Sequence, residues 1–187
     1  MITRLSKTQH ILAHSKSAMT QTSQQAHLAV LEASKVIIIR HANSTFNHRW
    51  SKIEKEIESG NALEEKFLEA VKDTTLLDCP LSELGVQQCA EASKLAAQLV
   101  NLKTVFVSPL RRALQTAYLL FKEHPNFLSL RFVVHPLLRE NMHTVCDIPE
   151  RFDIVKAEYL TKIPHIDFSL MHTEHSLEDT QVVMTSR

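Results

Sequence analysis

The sequence predicts an α/β protein, a three-layer sandwich with a mainly parallel sheet between layers of helix. Three observations predict it. Short β-rich runs stand at residues 36–39 (Val-Ile-Ile-Ile), 104–107 (Thr-Val-Phe-Val) and 131–134 (Arg-Phe-Val-Val), each too short for a helix and rich in branched or aromatic side chains. The runs alternate with helical patterns, and strand then helix, repeated, places parallel strands in one sheet with helices on its faces. The chain has 187 residues, 44% hydrophobic and 22% charged, which is the composition of one soluble domain with a substantial core.

Residues 1–34 differ from the rest. They hold Arg4, Lys7 and Lys16, no acid before Glu32, and many Ser, Thr and Gln. The expectation is a disordered extension; a basic, Ser-rich, acid-poor mitochondrial targeting segment is the alternative. The domain is expected over 35–170, with 171–187 a polar tail lacking periodicity.

The run at 36–39 reads as a buried strand that stops at Arg40-His41, followed by Ala42, Asn43, Ser44, Thr45, Phe46 and Asn47. A cation and an imidazole at the carboxyl end of a strand stand where open α/β sheets bind ligands. Residues 50–73 read as helical, split near Gly60-Asn61. Pro80 and Ser82 are helix-start signals, and Leu84, Cys89, Ala92, Leu95, Ala96 and Leu99 form its apolar stripe. After 104–107, Ser108 can cap a helix with Pro109 at its first position. Arg111 and Arg112 then fall in the first turn, where positive charge opposes the helix dipole, so an anion is expected to arrive there. The run at 131–134 leads to Pro136, Leu137, Leu138, Arg139 and Glu140.

If the segments after the three strands share one sheet edge, Arg40, His41, Arg112 and Glu140 meet. Arginine forks bind phosphate oxygens bidentately and stay charged. A neutral imidazole nitrogen can attack phosphorus, and a carboxyl group can protonate the leaving oxygen and then activate water. Ser44 and Asn47 can position oxygens. With only two glycines in the chain, a glycine-rich phosphate loop is absent.

The segment Arg40-His41-Ala42-Asn43-Ser44-Thr45-Phe46-Asn47 resembles the R-H-G-x-S/T-x-x-N signature of the histidine phosphatase superfamily, which includes the phosphoglycerate mutases. Residues 81–90 (LSELGVQQCA) are similar to its L-T/S-x-x-G-x-x-Q-A helix start, 108–117 (SPLRRALQTA) to its S-x-L-x-R-A-x-Q-T-A segment, and Leu138-Arg139-Glu140 to its L-x-E. The resemblance covers about residues 36 to 149 and implies a phosphoglycerate mutase-like fold. It also implies His41 as phosphorylated nucleophile, Arg40 and Arg112 as phosphate ligands, and Glu140 as proton donor. Two departures stand out. Ala42 replaces the usual Gly. The family's second histidine, set after a late strand in V-x-x-H-G, has no clear counterpart; His172 lies at a comparable distance but follows Phe168-Ser169-Leu170-Met171 and precedes Thr173. The C-terminal strands of the usual fold are therefore expected to be missing.

The function expected is phosphomonoester phosphatase or phosphomutase chemistry through a phosphohistidine, on a small phosphorylated substrate or a phosphoprotein. The alternative is an impaired relative that binds phosphorylated ligands or a protein partner without turnover. No cofactor is expected. No metal site is expected either, since the histidines lack ligand spacing. Net charge is zero, which argues against nucleic acid, and no apolar run has membrane length. Cys79, Cys89 and Cys146 suit a reducing, cytoplasmic setting, and Cys79 and Cys89 read as packing residues. Oligomeric state is not written in the sequence.

Overall fold

The computed structural model of the chain describes residues 9–11, 21–34, 36–58, 71–149 and 151–171. Both strand pairs in it are parallel. β1 (Gln9–Ile11) lies beside β2 (Ile37–Ile39), with Gln9 opposite Ile37. β3 (Thr104–Val107) lies beside β4 (Arg131–Val134), with Thr104 opposite Arg131. A parallel bridge from Val133 to Asp167 extends the second pair. The helices are α1 (Gln21–Glu32), α2 (Thr45–Glu58), α3 (Glu83–Ala96), α4 (Arg111–Phe121) and α5 (Phe152–Lys162). The β3–α4–β4 unit is a parallel crossover of the kind the alternating pattern required. The class is α/β with parallel pairing, phosphoglycerate mutase-like, as expected.

Apolar periodicity explains the main core. Leu114, Ala117, Leu120 and Phe121 on α4 recur at helical spacing and pack with Val107, Phe132 and Val134 of the strands and Val155, Tyr159 and Ile163 of α5. Phe132, Val134, Tyr159 and Ile163 are fully buried.

Several local expectations are corrected. The strand at 36–39 is not buried: Ile38 is 45% exposed and Val36 60%. The reason is that β2 and β3 do not pair with each other. They face a cleft of about 780 Å³ lined by Ile37, Ile38 and Ile39 on one side and residues 104–107 on the other. Successive strand residues point to opposite faces, so a cleft lined by all of them opens onto strand edges. Within the segment expected as an extension, β1 and α1 are present, and Leu31 is 1% exposed. The helix expected from residue 50 begins earlier, at Thr45, because Ser44 caps it: its Oγ accepts from the Asn47 N–H at 3.1 Å. The second half of that helical region, 59–70, lies outside the described residues. α4 begins at Arg111 and not at Pro109; Ser108 serves the preceding turn, its Oγ accepting from the Leu110 N–H at 3.4 Å. A remote carboxylate takes over as cap, with Asp78 Oδ1 accepting from the Arg111 N–H at 2.8 Å.

The 81–88 motif is a clasp. Ser82 caps α3, its Oγ accepting from the Gly85 N–H at 3.1 Å. A Cβ added at Gly85 would stand 2.1 Å from the Asn43 carbonyl oxygen, so glycine is what lets α3 approach the loop after His41. Gly85→Ala is therefore expected to destabilise the chain by roughly 1–3 kcal/mol, as overpacking against backbone does, read as a lowered urea midpoint. An unchanged midpoint would show that the loop yields freely.

Candidate active site

His41 sits two residues beyond β2, and the backbone around it is held by side chains from α3 and α4. The Ala42 N–H donates to Thr116 Oγ1 at 3.1 Å, and the Asn43 N–H to Gln88 Oε1 at 2.9 Å. The Ser82 N–H and hydroxyl both donate to the Asn43 carbonyl, at 2.9 and 3.1 Å. The Leu81 N–H donates to Gln115 Oε1 at 2.8 Å. Gln88, Gln115 and Thr116, which the motifs contain without a stated role, thus fix the corner that presents the imidazole. Ala42 is 6% exposed and packs with Leu81 and Cys89. Its φ is negative, since Asp78 alone among the described non-glycine residues has positive φ, so the position does not demand glycine.

The ring is oriented at both nitrogens. His41 Nδ1 lies 2.8 Å from the Ala42 carbonyl oxygen, and Arg112 Nε donates to His41 Nε2 at 3.1 Å. A guanidinium only donates, so Nε2 carries the lone pair and Nδ1 the proton. Burial, with the charges of Arg112 and Arg40, lowers the His41 pKa to about 4, against a smaller upward pull from its bond to Ala42 and from Glu140. The imidazole is neutral near pH 7, with its unprotonated nitrogen facing a cation.

Arg112 is 3% exposed, in the first turn of α4. Three acceptors surround its guanidinium: His41 Nε2, the Cys146 carbonyl oxygen on Nη1, and Asp147 Oδ1 on Nη2 at 2.8 Å. Asp147 is buried too. Burial pushes its carboxyl up, but hydrogen bonds from Arg112 and from the N–H groups of Thr144 and His143 outweigh this and hold it below the usual carboxylate range. Asp147 offsets the repulsion between Arg112 and the helix dipole. Sequence reasoning missed it. The one legible trace was Thr144-x-x-Asp147, a short capping pattern in which Thr144 N–H and Oγ1 both donate to Asp147 Oδ2 at 3.1 Å.

Of the other expected site residues, Arg40 and Glu140 line the same cleft as His41 and Arg112. Both are exposed, and Glu140 Oε1 accepts from the Asn141 N–H at 3.2 Å. Ser44 and Asn47 do not line that cleft. Ser44 is 1% exposed, and its hydroxyl donates to Asn47 Oδ1 at 2.9 Å, within the cap of α2. Arg111 turns the other way, 3.8 Å from Glu158 on α5. His165 packs edge-on against Phe127 and Phe132, apart from the site. His172 lies outside the described residues.

Comparison with known proteins gives the same family as the sequence motifs. Residues 36–162 match the family model of the histidine phosphatase superfamily, branch 1. Over 64 residues the chain is 39% identical to fructose-2,6-bisphosphatase TIGAR B of Danio rerio, an alignment covering 34% of this chain and 24% of that protein. The chain thus spans about a quarter of the length of the curated relative it matches. The family match runs through more than half of the chain and takes in His41, Arg112, Glu140 and Asp147 alike; this protein belongs to the histidine phosphatase superfamily.

Proposed function

We propose that the chain is a phosphomonoester phosphatase or phosphomutase acting through a phosphohistidine at His41 Nε2. The observation that carries this reading is the ring's state: neutral, with Nδ1–H on a backbone carbonyl and Nε2 aimed at a buried guanidinium. An arriving phosphoryl group takes the place between Nε2 and Arg112 Nε. Arg112 and Arg40 neutralise its oxygens, which favours the transition state, where charge is spread over them. The Nε2 lone pair forms the bond to phosphorus as the bond to the ester oxygen breaks. That oxygen takes its proton from the Glu140 carboxyl group. Glu140, now a carboxylate, removes a proton from water, whose oxygen attacks phosphorus and releases His41 and phosphate; a second substrate hydroxyl in place of water gives the mutase outcome. The Ala42 carbonyl steadies the charge that Nδ1–H acquires in the intermediate. The printed activity of the Danio rerio relative makes a sugar phosphate the first substrate to assay.

A second reading is a protein that binds phosphorylated ligands without turnover. The exposed position of Glu140, already bonded to the Asn141 N–H, favours it, because a proton donor must reach the leaving oxygen.

Hydrolysis of p-nitrophenyl phosphate by the purified chain separates the two. His41→Ala is expected to lower the rate on the order of a thousandfold or more, as loss of a covalent nucleophile does. Equal rates in both proteins would defeat the enzymatic reading, and phosphate binding with no turnover in either would establish the second one.

Asp147→Ala leaves Arg112 as an uncompensated buried charge. A stability loss on the order of 3 kcal/mol is expected, seen as a fall in the urea midpoint together with weaker phosphate binding.

Acid titration gives a further check. The folded His41 pKa, about 4, lies below the ordinary 6.5, so on acidification the unfolded chain takes up the proton first. Stability present above pH 6.5 is lost as pH falls toward 4. His41→Gln should flatten this window in urea unfolding curves; an identical slope would place the imidazole in a solvated setting.

A further inference from the structure

Cys79 and Cys146 come from distant parts of the chain and meet in one buried cluster with Phe46, beside Trp50 and Leu76. Cys79 follows Asp78, which is fully buried with φ at 40°, a backbone conformation that costs a residue with a Cβ. Cys146 lies in a single 3-10 turn, Val145–Asp147. Neither thiol is therefore locked in a regular element, and opening of a short turn costs less than opening the core.

The surroundings of the two sulfurs differ. Cys79 sits at the N-terminus of α2. It packs in that cluster against Cys146 and Phe46, and the polar groups of Cys146, Thr45, Phe46 and Ser44 favour its ionised form. These neighbours push its thiol down, against burial, while the Cys79 sulfur and burial push Cys146 up. One sulfur is thus set to be the thiolate and its neighbour to hold the proton. Cys89 contrasts with both: burial raises its thiol to about 11, and it packs with Ala42 and Leu81 instead.

Cys146 is also part of the phosphate site. Its carbonyl oxygen accepts from Arg112 Nη1, and the next residue, Asp147, accepts from Nη2. Its sulfur lies 2.9 Å from Thr144 Oγ1, the hydroxyl that also donates to Asp147 Oδ2. Two thiols packed in one cluster must approach to the roughly 2.05 Å of a disulfide. The 144–147 turn is then drawn toward Cys79, and the acceptors that hold Arg112 move with it.

We propose that Cys79 and Cys146 form a reversible disulfide whose closure displaces the Arg112 anchor and weakens phosphate binding at His41. Hydrogen peroxide serves as the oxidant. The Cys79 thiolate attacks one peroxide oxygen, the O–O bond breaks, and hydroxide leaves, giving a sulfenic acid. The Cys146 sulfur then attacks Cys79 sulfur, the S–O bond breaks, and the thiol proton leaves with the hydroxyl as water. Overall two thiols are oxidised and one peroxide is reduced to two waters. A thiol reductant restores both cysteines by exchange.

The test uses the full chain, reduced or treated with hydrogen peroxide, digested without reductant by a protease that cuts after Glu83 and so separates Cys79 from Cys89. Mass spectrometry is expected to find a peptide pair joined through Cys79 and Cys146, lost on adding dithiothreitol. A bridge through Cys89, or over-oxidised Cys79 with no bridge, overturns the proposal. Calorimetry with inorganic phosphate is expected to show about tenfold weaker binding after oxidation, the effect of one lost charge-assisted bond, with recovery in dithiothreitol. Cys79→Ser should bind phosphate as the reduced chain does and ignore peroxide. Only the binding consequence rests on the proposed phosphate site, so the His41 ring is also titrated by NMR. A rise of its pKa toward 6.5 on oxidation supports release of Arg112 even if phosphate fails to bind the reduced chain. A bridge that leaves both the ring and phosphate affinity unchanged overturns the coupling.

Discussion

A buried arginine at the start of a helix is the constraint from which the rest of this site follows. Arg112 stands where the dipole of α4 is positive and water is excluded. Such a charge persists only if the fold surrounds it with acceptors. The fold supplies a carboxylate from Asp147, a backbone carbonyl from Cys146 and the imidazole lone pair of His41. They come from two other parts of the chain, His41 after β2 and the Val145–Asp147 turn, so satisfying one guanidinium ties both to the start of α4. It also selects the tautomer of His41, because a donor at Nε2 leaves the proton to Nδ1.

The corner that carries His41 has little secondary structure of its own, yet its backbone N–H groups from Ala42 to Thr45 are each bonded to a named group. Thr116 and Gln88 take the N–H groups of Ala42 and Asn43, Asn47 Oδ1 that of Ser44, and the Pro80 carbonyl that of Thr45. Thr116 also donates to the Arg112 carbonyl at 2.8 Å, so one hydroxyl joins the His41 loop to the helix that carries Arg112. Rigidity here comes from side chains of neighbouring helices, which is how a loop can be held to the tolerance that the proposed phosphoryl transfer needs.

What the sequence made legible were the features encoded locally. The β-rich runs at 104–107 and 131–134, the cap at Ser82 and the positive first turn of α4 depend on near neighbours, and each stands where its pattern put it. The pairing of Arg112 with Asp147 was not legible, because an acid in Thr144-Val145-Cys146-Asp147 looks the same whether it caps a turn or neutralises an arginine. Ser44 shows the reverse: a hydroxyl after a strand end can bind a ligand or cap a helix, and its bonds with Asn47 at the start of α2 give it the cap. The exposure of β2 was also hidden. Four β-branched residues imply a covered strand only when strands lie on both sides, and pairing is not a property of the run itself.

The unjoined pairs β1–β2 and β3–β4 have a consequence for motion. His41 follows β2, whose Ile38 and Ile39 are exposed, and Arg112 follows β3, whose partner β4 holds the buried Phe132, Val133 and Val134. Local opening is easiest where few apolar contacts are broken. Amide exchange is therefore expected to be faster on the His41 side of the cleft than along β4. The bond between Arg112 Nε and His41 Nε2 spans that boundary, and its length measures how the two sides move against each other.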